Sequence, residues 1–331
     1  MAEFTHDVVG IGNAIVDILG RCKDDFLIQH GAPKGHMRLV DADTISKLYE
    51  AMGPGIEISG GSVANTMVGI ASFGGSAAFI GKVADDDFGR VFAHDIRASG
   101  VTFNTQPARQ GSPPTARSLI LITPNGERTM NTFLGVSPEL ARSEIDAELI
   151  ASARILYLEG YLFDRPEAKA AFRHAADLAD KSGCQVALTL SDAFCVDRHR
   201  AEFQELVRTR VDILFANESE ITSLYQTSSF NDAARQARAA GKLVVLTRSE
   251  KGSLIYSGDK AITVPAERVK TVVDATGAGD LYAAGFLYGL ASGKSLETCG
   301  RLGSLAAAEV ISHIGARPET PLNKLAAARG L

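Results

Sequence analysis

Apolar positions in this chain fall in short unbroken runs rather than in strict alternation. Val8-Val9-Gly10-Ile11, Ala78-Phe79-Ile80, Ile155-Leu156-Tyr157-Leu158, Val186-Ala187-Leu188, Ile213-Leu214-Phe215 and Leu243-Val244-Val245-Leu246 have strand length and are too short for helices. A strand that is apolar on both faces needs cover on both faces, which is the condition of a parallel sheet. Between the later runs, the segments near 166–181, 197–209 and 217–240 read as amphipathic helices. Strand and helix in alternation predict an α/β fold of three layers, with a central, mainly parallel sheet between two layers of helices. Such sheets bind ligands beyond the carboxyl ends of their strands, so the residues just after each run become the candidates for chemistry.

Two regions break this rhythm. Residues 18–58 are interrupted by Gly31, Pro33, Gly35, Gly53, Pro54 and Gly55, with one short extended stretch at Met37-Arg38-Leu39-Val40. Residues 100–135 hold two extended runs, Ala116–Thr123 and Arg128–Phe133, around Pro124-Asn125-Gly126-Glu127, and Asn-Gly is a strong hairpin signal. Together they predict a small lid of β-strands. The chain then reads as one unit over 1–331, with a large α/β part at 5–17, 59–99 and 136–325 and a lid at 18–58 and 100–135.

Composition narrows the function. The 331 residues are 45% hydrophobic, ample for a core, and carry a net charge of −5. An acidic balance argues against nucleic acid or a membrane surface as partner, so any phosphate affinity must be local. The four cysteines (Cys22, Cys184, Cys195, Cys299) form no CxxC pair, and the histidines no HExxH, so neither a zinc site nor a disulfide framework is expected. The N-terminus, Met1-Ala2-Glu3-Phe4-Thr5-His6-Asp7, is polar and acidic, unlike a secretory signal, and no apolar run reaches the ~20 residues of a membrane span. A soluble, cytoplasmic protein is expected, as monomer or homodimer.

Four segments carry the chemistry. In Asp274-Ala275-Thr276-Gly277-Ala278-Gly279-Asp280, the residues Gly277, Ala278 and Gly279 have almost no side chain, and an apolar helix follows. Their amides and the helix dipole make an anion site, beside which the acid Asp280 suits a general base for an attacking hydroxyl. In Ser59-Gly60-Gly61-Ser62-Val63-Ala64-Asn65, glycines at a helix mouth let backbone approach a polar ligand, and Asn65 offers donor and acceptor to a sugar hydroxyl. Gly10-Ile11-Gly12-Asn13-Ala14-Ile15-Val16-Asp17 resembles a dinucleotide GxGxxG, but Ile15 stands at the third glycine. Asp17 there suits a pair of hydroxyls, and a turn or capping aspartate is its plain alternative. Asn217 and Glu220, three apart on one helical face, suit a magnesium ion held through waters, against the alternative of a solvated acidic first turn. Asp87-Phe88-Gly89 lacks the catalytic loop of a protein kinase, and Gly75 to Gly81-Lys82 fails the Walker A spacing.

With these segments in order, the chain from about residue 5 to 320 resembles the ribokinase-like (PfkB) carbohydrate kinase family. Asp274–Asp280 is similar to its D-[ST]-x-G-A-G-D signature, with Ala275 in place of the hydroxyl residue. Gly60-Gly61 with Asn65, and Gly81–Gly89, resemble the N-terminal signature, and Asn217–Glu220 the NxxE element. The resemblance implies a ribokinase-like fold and ATP-dependent phosphorylation of an alcohol. It implies Asp280 as base, the amides of Gly277, Ala278 and Gly279 as anion hole, and Asn217 and Glu220 organising Mg²⁺ and phosphates. Asp17, Gly61, Ser62 and Asn65 would hold the acceptor's sugar ring. Thr247 and Gly252, from a segment similar to T-x-G-x-x-G, would lie with Thr276 on the nucleotide side.

Asn13 and Asp17, four apart, with Gly61-Ser62, are more similar to the adenosine kinases of the family than to its ribokinases. That implies transfer to the 5′-hydroxyl of a nucleoside. Met37, Phe133 and Tyr161 are the candidates for a base slot, each with packing as the alternative, and Arg128 on the hairpin is a candidate for the phosphates. A monovalent cation such as K⁺ is a further expectation from the family. Ribose, fructose or another sugar, inosine or guanosine as acceptor, and a non-catalytic nucleoside sensor, all stay open.

Overall fold

The computed structural model describes residues 4–331, so the first three residues of the polar N-terminus lie outside the described residues. The strands in chain order are β1 (His6–Ile11), β2 (Ile15–Arg21), β3 (Met37–Leu39), β4 (Gly55–Gly60), β5 (Ala77–Ile80), β6 (Val101–Thr102) and β7 (Ala116–Ile122). They continue with β8 (Arg128–Phe133), β9 (Ala153–Glu159), β10 (Gln185–Thr189), β11 (Ile213–Asn217), β12 (Leu243–Thr247), β13 (Ser253–Ser257) and β14 (Lys260–Val264). Every predicted apolar run is a strand of one sheet, ordered β14-β13-β12-β11-β10-β9-β1-β5-β6. It is parallel except for β13 and β14, which pair antiparallel at one edge.

Strand periodicity divides the core into two layers. Val8, Phe79, Ile155, Tyr157, Ala187, Ile213 and Val245 pack on one face with the helices Ser62–Ser72, Ala278–Ala291 and Leu296–Val310. Val9, Ile80, Leu156, Leu158, Val186, Leu214 and Val244 pack on the other with Pro166–Ser182, Ala193–Thr209 and Phe230–Ala239. Successive side chains of one strand thus enter opposite layers, which is why these runs had to be apolar throughout. The architecture is the three-layer α/β/α fold that the strand and helix pattern predicts.

A second sheet, β3-β8-β7-β2-β4, stands on the carboxyl side of the first. Its β7–β8 hairpin turns at the predicted Asn-Gly, with Gly126 donating to the Thr123 carbonyl at 2.8 Å. The expected lid limits shift at three places. β2 starts at Ile15 because it pairs with β7 along its whole length, so Asp17 belongs to the smaller sheet. β4 extends to Gly60, paired with Ile15. Val101–Thr102 joins the large sheet beside Ala77–Ala78 instead. The helix expected over 217–240 is two, Glu218–Leu224 and Phe230–Ala239, broken where Gln226 is left-handed (φ 50°) and Ser229 caps the second. Among the described residues, no helix is long and apolar enough to cross a membrane.

Candidate active site

Gly277 opens the helix Ala278–Ala291 in a left-handed conformation (φ 78°), and a Cβ there would lie 2.7 Å from Ala316 Cβ. Only glycine fits that corner, so the predicted loop is forced by backbone geometry. No side chain caps this helix. The Ala278 amide turns back to the Ala275 carbonyl at 3.3 Å, whereas the amides of Gly277 and Gly279 have no partner among the described residues. The expected three-amide anion hole is therefore two open amides and one engaged in the turn.

Asp280, in the first turn of that helix, is held from the other side of the sheet junction. Ser62 Oγ donates to its Oδ1 at 2.6 Å, Asn65 Nδ2 donates to its Oδ2 at 2.9 Å, and Thr66 Oγ1 donates to its carbonyl at 3.1 Å. Burial raises the Asp280 carboxyl above the ordinary aspartate range, and the bonds from Ser62 and Asn65 oppose that rise. A cavity of about 220 Å³ opens beside it, lined also by Ser62, Asn217, Glu220, Thr247 and Gly277–Gly279. Four segments far apart in sequence meet in one space.

Asp17, on β2, has no hydrogen-bond donor on its carboxylate among the described residues. Burial pushes it up to about 7, with the Arg317 charge lowering it and Asp280 raising it. An acid at neutrality with open lone pairs suits a ligand's paired hydroxyls. Asn65 Oδ1 is also buried without a partner.

Asn13 is placed differently from its expected role. Its Nδ2 donates to Glu159 Oε1 at 2.7 Å and its Oδ1 accepts from Ser137 Oγ at 2.9 Å, so both ends of the carboxamide are engaged with the protein. Asn217 and Glu220 form a reciprocal capping box. Glu220 Oε2 accepts from the Asn217 amide at 3.0 Å, and Asn217 Oδ1 accepts from the Glu220 amide at 2.9 Å, with a further bond from Asn217 Nδ2 to Glu220 Oε1 at 2.6 Å. The N-x-x-E spacing already spells that box. Glu220 is buried rather than solvated, and burial pushes its carboxyl up to about 7. Both residues still line the cavity.

Arg128 reaches across from β8 to pair with Asp274, with Thr276 Oγ1 3.4 Å away, and so ties the hairpin to the anion loop. Its Nη2 is buried without a partner among the described residues. Thr247 ends β12 at the cavity, but Gly252 packs on the Val264 carbonyl, which a Cβ would approach to 2.1 Å. None of Met37, Phe133 and Tyr161 lines the cavity beside Asp280. Met37 is half exposed on β3, Phe133 packs near Arg117, and Tyr161 Oη lies 3.3 Å from the Ser191 carbonyl.

Two residues escaped sequence reasoning. Glu159 ends β9 in the buried run Ile155–Leu158, and a charge closing a buried parallel strand was the available signal. Arg317 donates to the carbonyls of Ser59 at 3.0 Å and Ala64 at 2.8 Å, beside Asp17 and Asp280. It stands alone in a C-terminal loop and carried no signal.

A family model for the pfkB family of carbohydrate kinases matches residues 57–323. A probable sugar kinase from Rhizobium etli superposes with a TM-score of 0.91 at 50% identity, covering 100% of this chain and 99% of that one. The adenosine kinase from Sinorhizobium meliloti gives 0.90 at 51% identity, covering 98% and 99%. A 5-dehydro-2-deoxygluconokinase from Listeria monocytogenes is 30% identical over 329 residues, covering 94% of this chain and 91% of its own. That an acid, an open helix N-terminus and a sugar-sized cavity converge here agrees with what these relatives are: the chain belongs to the pfkB family of carbohydrate kinases and is a phosphotransferase acting on an alcohol group of a sugar or nucleoside.

Proposed function

We propose that the protein transfers the γ-phosphoryl group of ATP to the 5′-hydroxyl of a nucleoside, adenosine by preference. One observation carries the reading: Asp280, aimed by Ser62 and Asn65, shares its cavity with a helix N-terminus whose glycine amides are open. The similarity to an adenosine kinase over nearly the whole chain supports the acceptor.

The chemistry follows from these positions. The ribose hydroxyls lie on Asp17 and on the free Oδ1 of Asn65, which brings the 5′-hydroxyl to Asp280. As that oxygen forms its bond to the γ-phosphorus, Asp280 takes the proton, and the bond to the β-phosphate oxygen breaks to release ADP. The amides of Gly277 and Gly279 stabilise charge on the phosphoryl oxygens. Family membership implies ATP and usually Mg²⁺. Among the described residues no group of three or more acidic, His or Cys side chains could hold a metal directly. A hydrated Mg²⁺ bound chiefly by phosphates needs no such cage, and Glu220 with Asn217 fits it through waters. Bound there, the ion would neutralise charge on the transferring phosphates.

A sugar such as fructose is the second reading, favoured by the absence of Met37, Phe133 and Tyr161 from the cavity wall. Rates of ADP formation with adenosine, inosine, guanosine, ribose and fructose decide between them. The highest kcat/KM for adenosine is expected, and a higher value for a free sugar would overturn the acceptor.

A further inference from the structure

The chain leaves the large sheet through Gly12–Ala14 to enter β2, and returns from β4 through Gly61 into the helix Ser62–Ser72. These two crossings lie side by side, since a Cβ on Gly61 would sit 2.2 Å from the Asn13 carbonyl oxygen. On the near side they carry Asp17, Ser62 and Asn65; Ser62 lines the cavity, and Ser62 and Asn65 hold Asp280. Behind them lies Glu159, 1% exposed. Its Oε1 accepts from the Asn13 amide at 3.2 Å and from Asn13 Nδ2 at 2.7 Å, and its Oε2 accepts from the Val63 amide at 3.1 Å.

We propose that Glu159 is the positioning residue of the acceptor side: one buried carboxylate fixes both crossings and thereby sets where the acceptor's hydroxyls stand relative to Asp280. The proposal rests on the phosphoryl-transfer reading above.

Three features support it. The helix Ser62–Ser72 begins at Gly61 with no side chain of its own to cap it, so Glu159 engages its first turn from another strand. The network also reaches a third crossing. Ser137, on the return from β8, donates to Asn13 Oδ1 at 2.9 Å and accepts from the Ala14 amide at 2.9 Å. Lastly, a Cβ on Gly12 would lie 2.5 Å from Glu159 Oε2 and 2.9 Å from Val63 Cβ. That glycine admits the carboxylate, which gives the Gly-x-Gly of the first strand a purpose other than a dinucleotide.

All three groups facing Glu159 are N–H donors, so only an acceptor on both oxygens satisfies them. A glutamine of the same shape would set its own N–H₂ against one of them and leave a buried donor unpaired. Among the described residues, the hydrogen bonds of Glu159 go to Asn13 and Val63, and none to Asn217, Thr247 or the Gly277–Gly279 amides. The effect therefore falls on the acceptor and spares the nucleotide.

The test is Glu159→Gln, with KM for adenosine and for ATP measured separately. Adenosine turnover by the unmodified protein is measured first. If fructose is used and adenosine is not, the acceptor reading fails by itself and fructose becomes the probe. KM for the acceptor should rise by ~10-fold or more, the scale of one unpaired buried donor, while KM for ATP stays within about twofold. In Asn13→Asp/Glu159→Gln, amide and carboxylate exchange places across the 2.7 Å contact, and acceptor KM should recover part of the loss seen in Asn13→Asp alone, the Asn13 backbone amide still facing the new N–H₂. If Glu159→Gln does not fold, that second comparison decides. An unchanged acceptor KM, equal losses for both substrates, or no recovery on exchange would overturn the proposal.

Discussion

The two sides of the cavity are built by different means. The phosphate side is backbone: Gly277 to Gly279 are contiguous, and their geometry follows from one left-handed glycine wedged against Ala316. On the proposed reading the acceptor side is side chains, drawn from Asp17, Ser62, Asn65, Glu159 and Arg317 in the two sheets and the segments around them. Peptide amides are common to every fold and can serve any phosphate, so that side carries the reaction type. A set of acids with a defined reach can distinguish one alcohol from another, so on the proposed reading that side would carry the specificity.

The largest effect should come where the two sides meet. Asp280→Asn keeps both Ser62 and Asn65 within reach but removes the base, and kcat should fall by about 10²–10⁴-fold with adenosine binding retained in calorimetry. Near-normal turnover would remove Asp280 from its role. Next is Gly277→Ala, which must strain a backbone at φ 78° and push on Ala316. A loss of about 1–3 kcal/mol in unfolding free energy, with kcat falling as well, is expected. An unstrained variant with full activity would show that the corner is not rigid.

Asp17→Ala should then break the acceptor side alone. Losing a carboxylate that accepts from hydroxyls weakens adenosine binding by about 1.5–3 kcal/mol, with ATP binding nearly unchanged. Equal losses would erase the division between the two sides.

The smallest effect is on stability against pH. Asp17 and Glu220 are each pushed up to about 7 by burial, against ~4 in an unfolded chain. Each holds its proton more tightly when folded, so the native state without ligand is most favoured below ~4 on this account and loses that advantage as pH rises to about 7. Thermal unfolding of the free protein should therefore show a higher midpoint near pH 5.5 than near pH 8. The opposite order would mean that these acids are ionised in the fold.

Legibility in the sequence followed the same division. Val8–Ile11 or Leu243–Leu246 could hardly be anything but buried strands, and the Asn125-Gly126 turn placed its hairpin. The Gly277–Asp280 loop was readable because its parts are adjacent. Glu159 was hidden because its partners, Asn13 and Val63, are 146 and 96 positions away. Arg317 was hidden because it serves carbonyls rather than a motif. Asn13's contacts were hidden for a related reason: a polar residue after a buried strand can face ligand or protein, and its bonds to Glu159 and Ser137 come from distant segments. The Asn217–Glu220 pair carried its capping box openly, and the proposed use toward a cation would be a second layer on that box.

The most direct measurement is the product itself. Adenosine and ATP are incubated with the protein, and phosphorus–proton coupling is read by NMR. The account predicts a phosphorus coupled to the two 5′ protons of the ribose, formed one for one with ADP. ADP accompanied by free phosphate and unmodified adenosine would contradict it, since the hydroxyl delivered to Asp280 would then be water's.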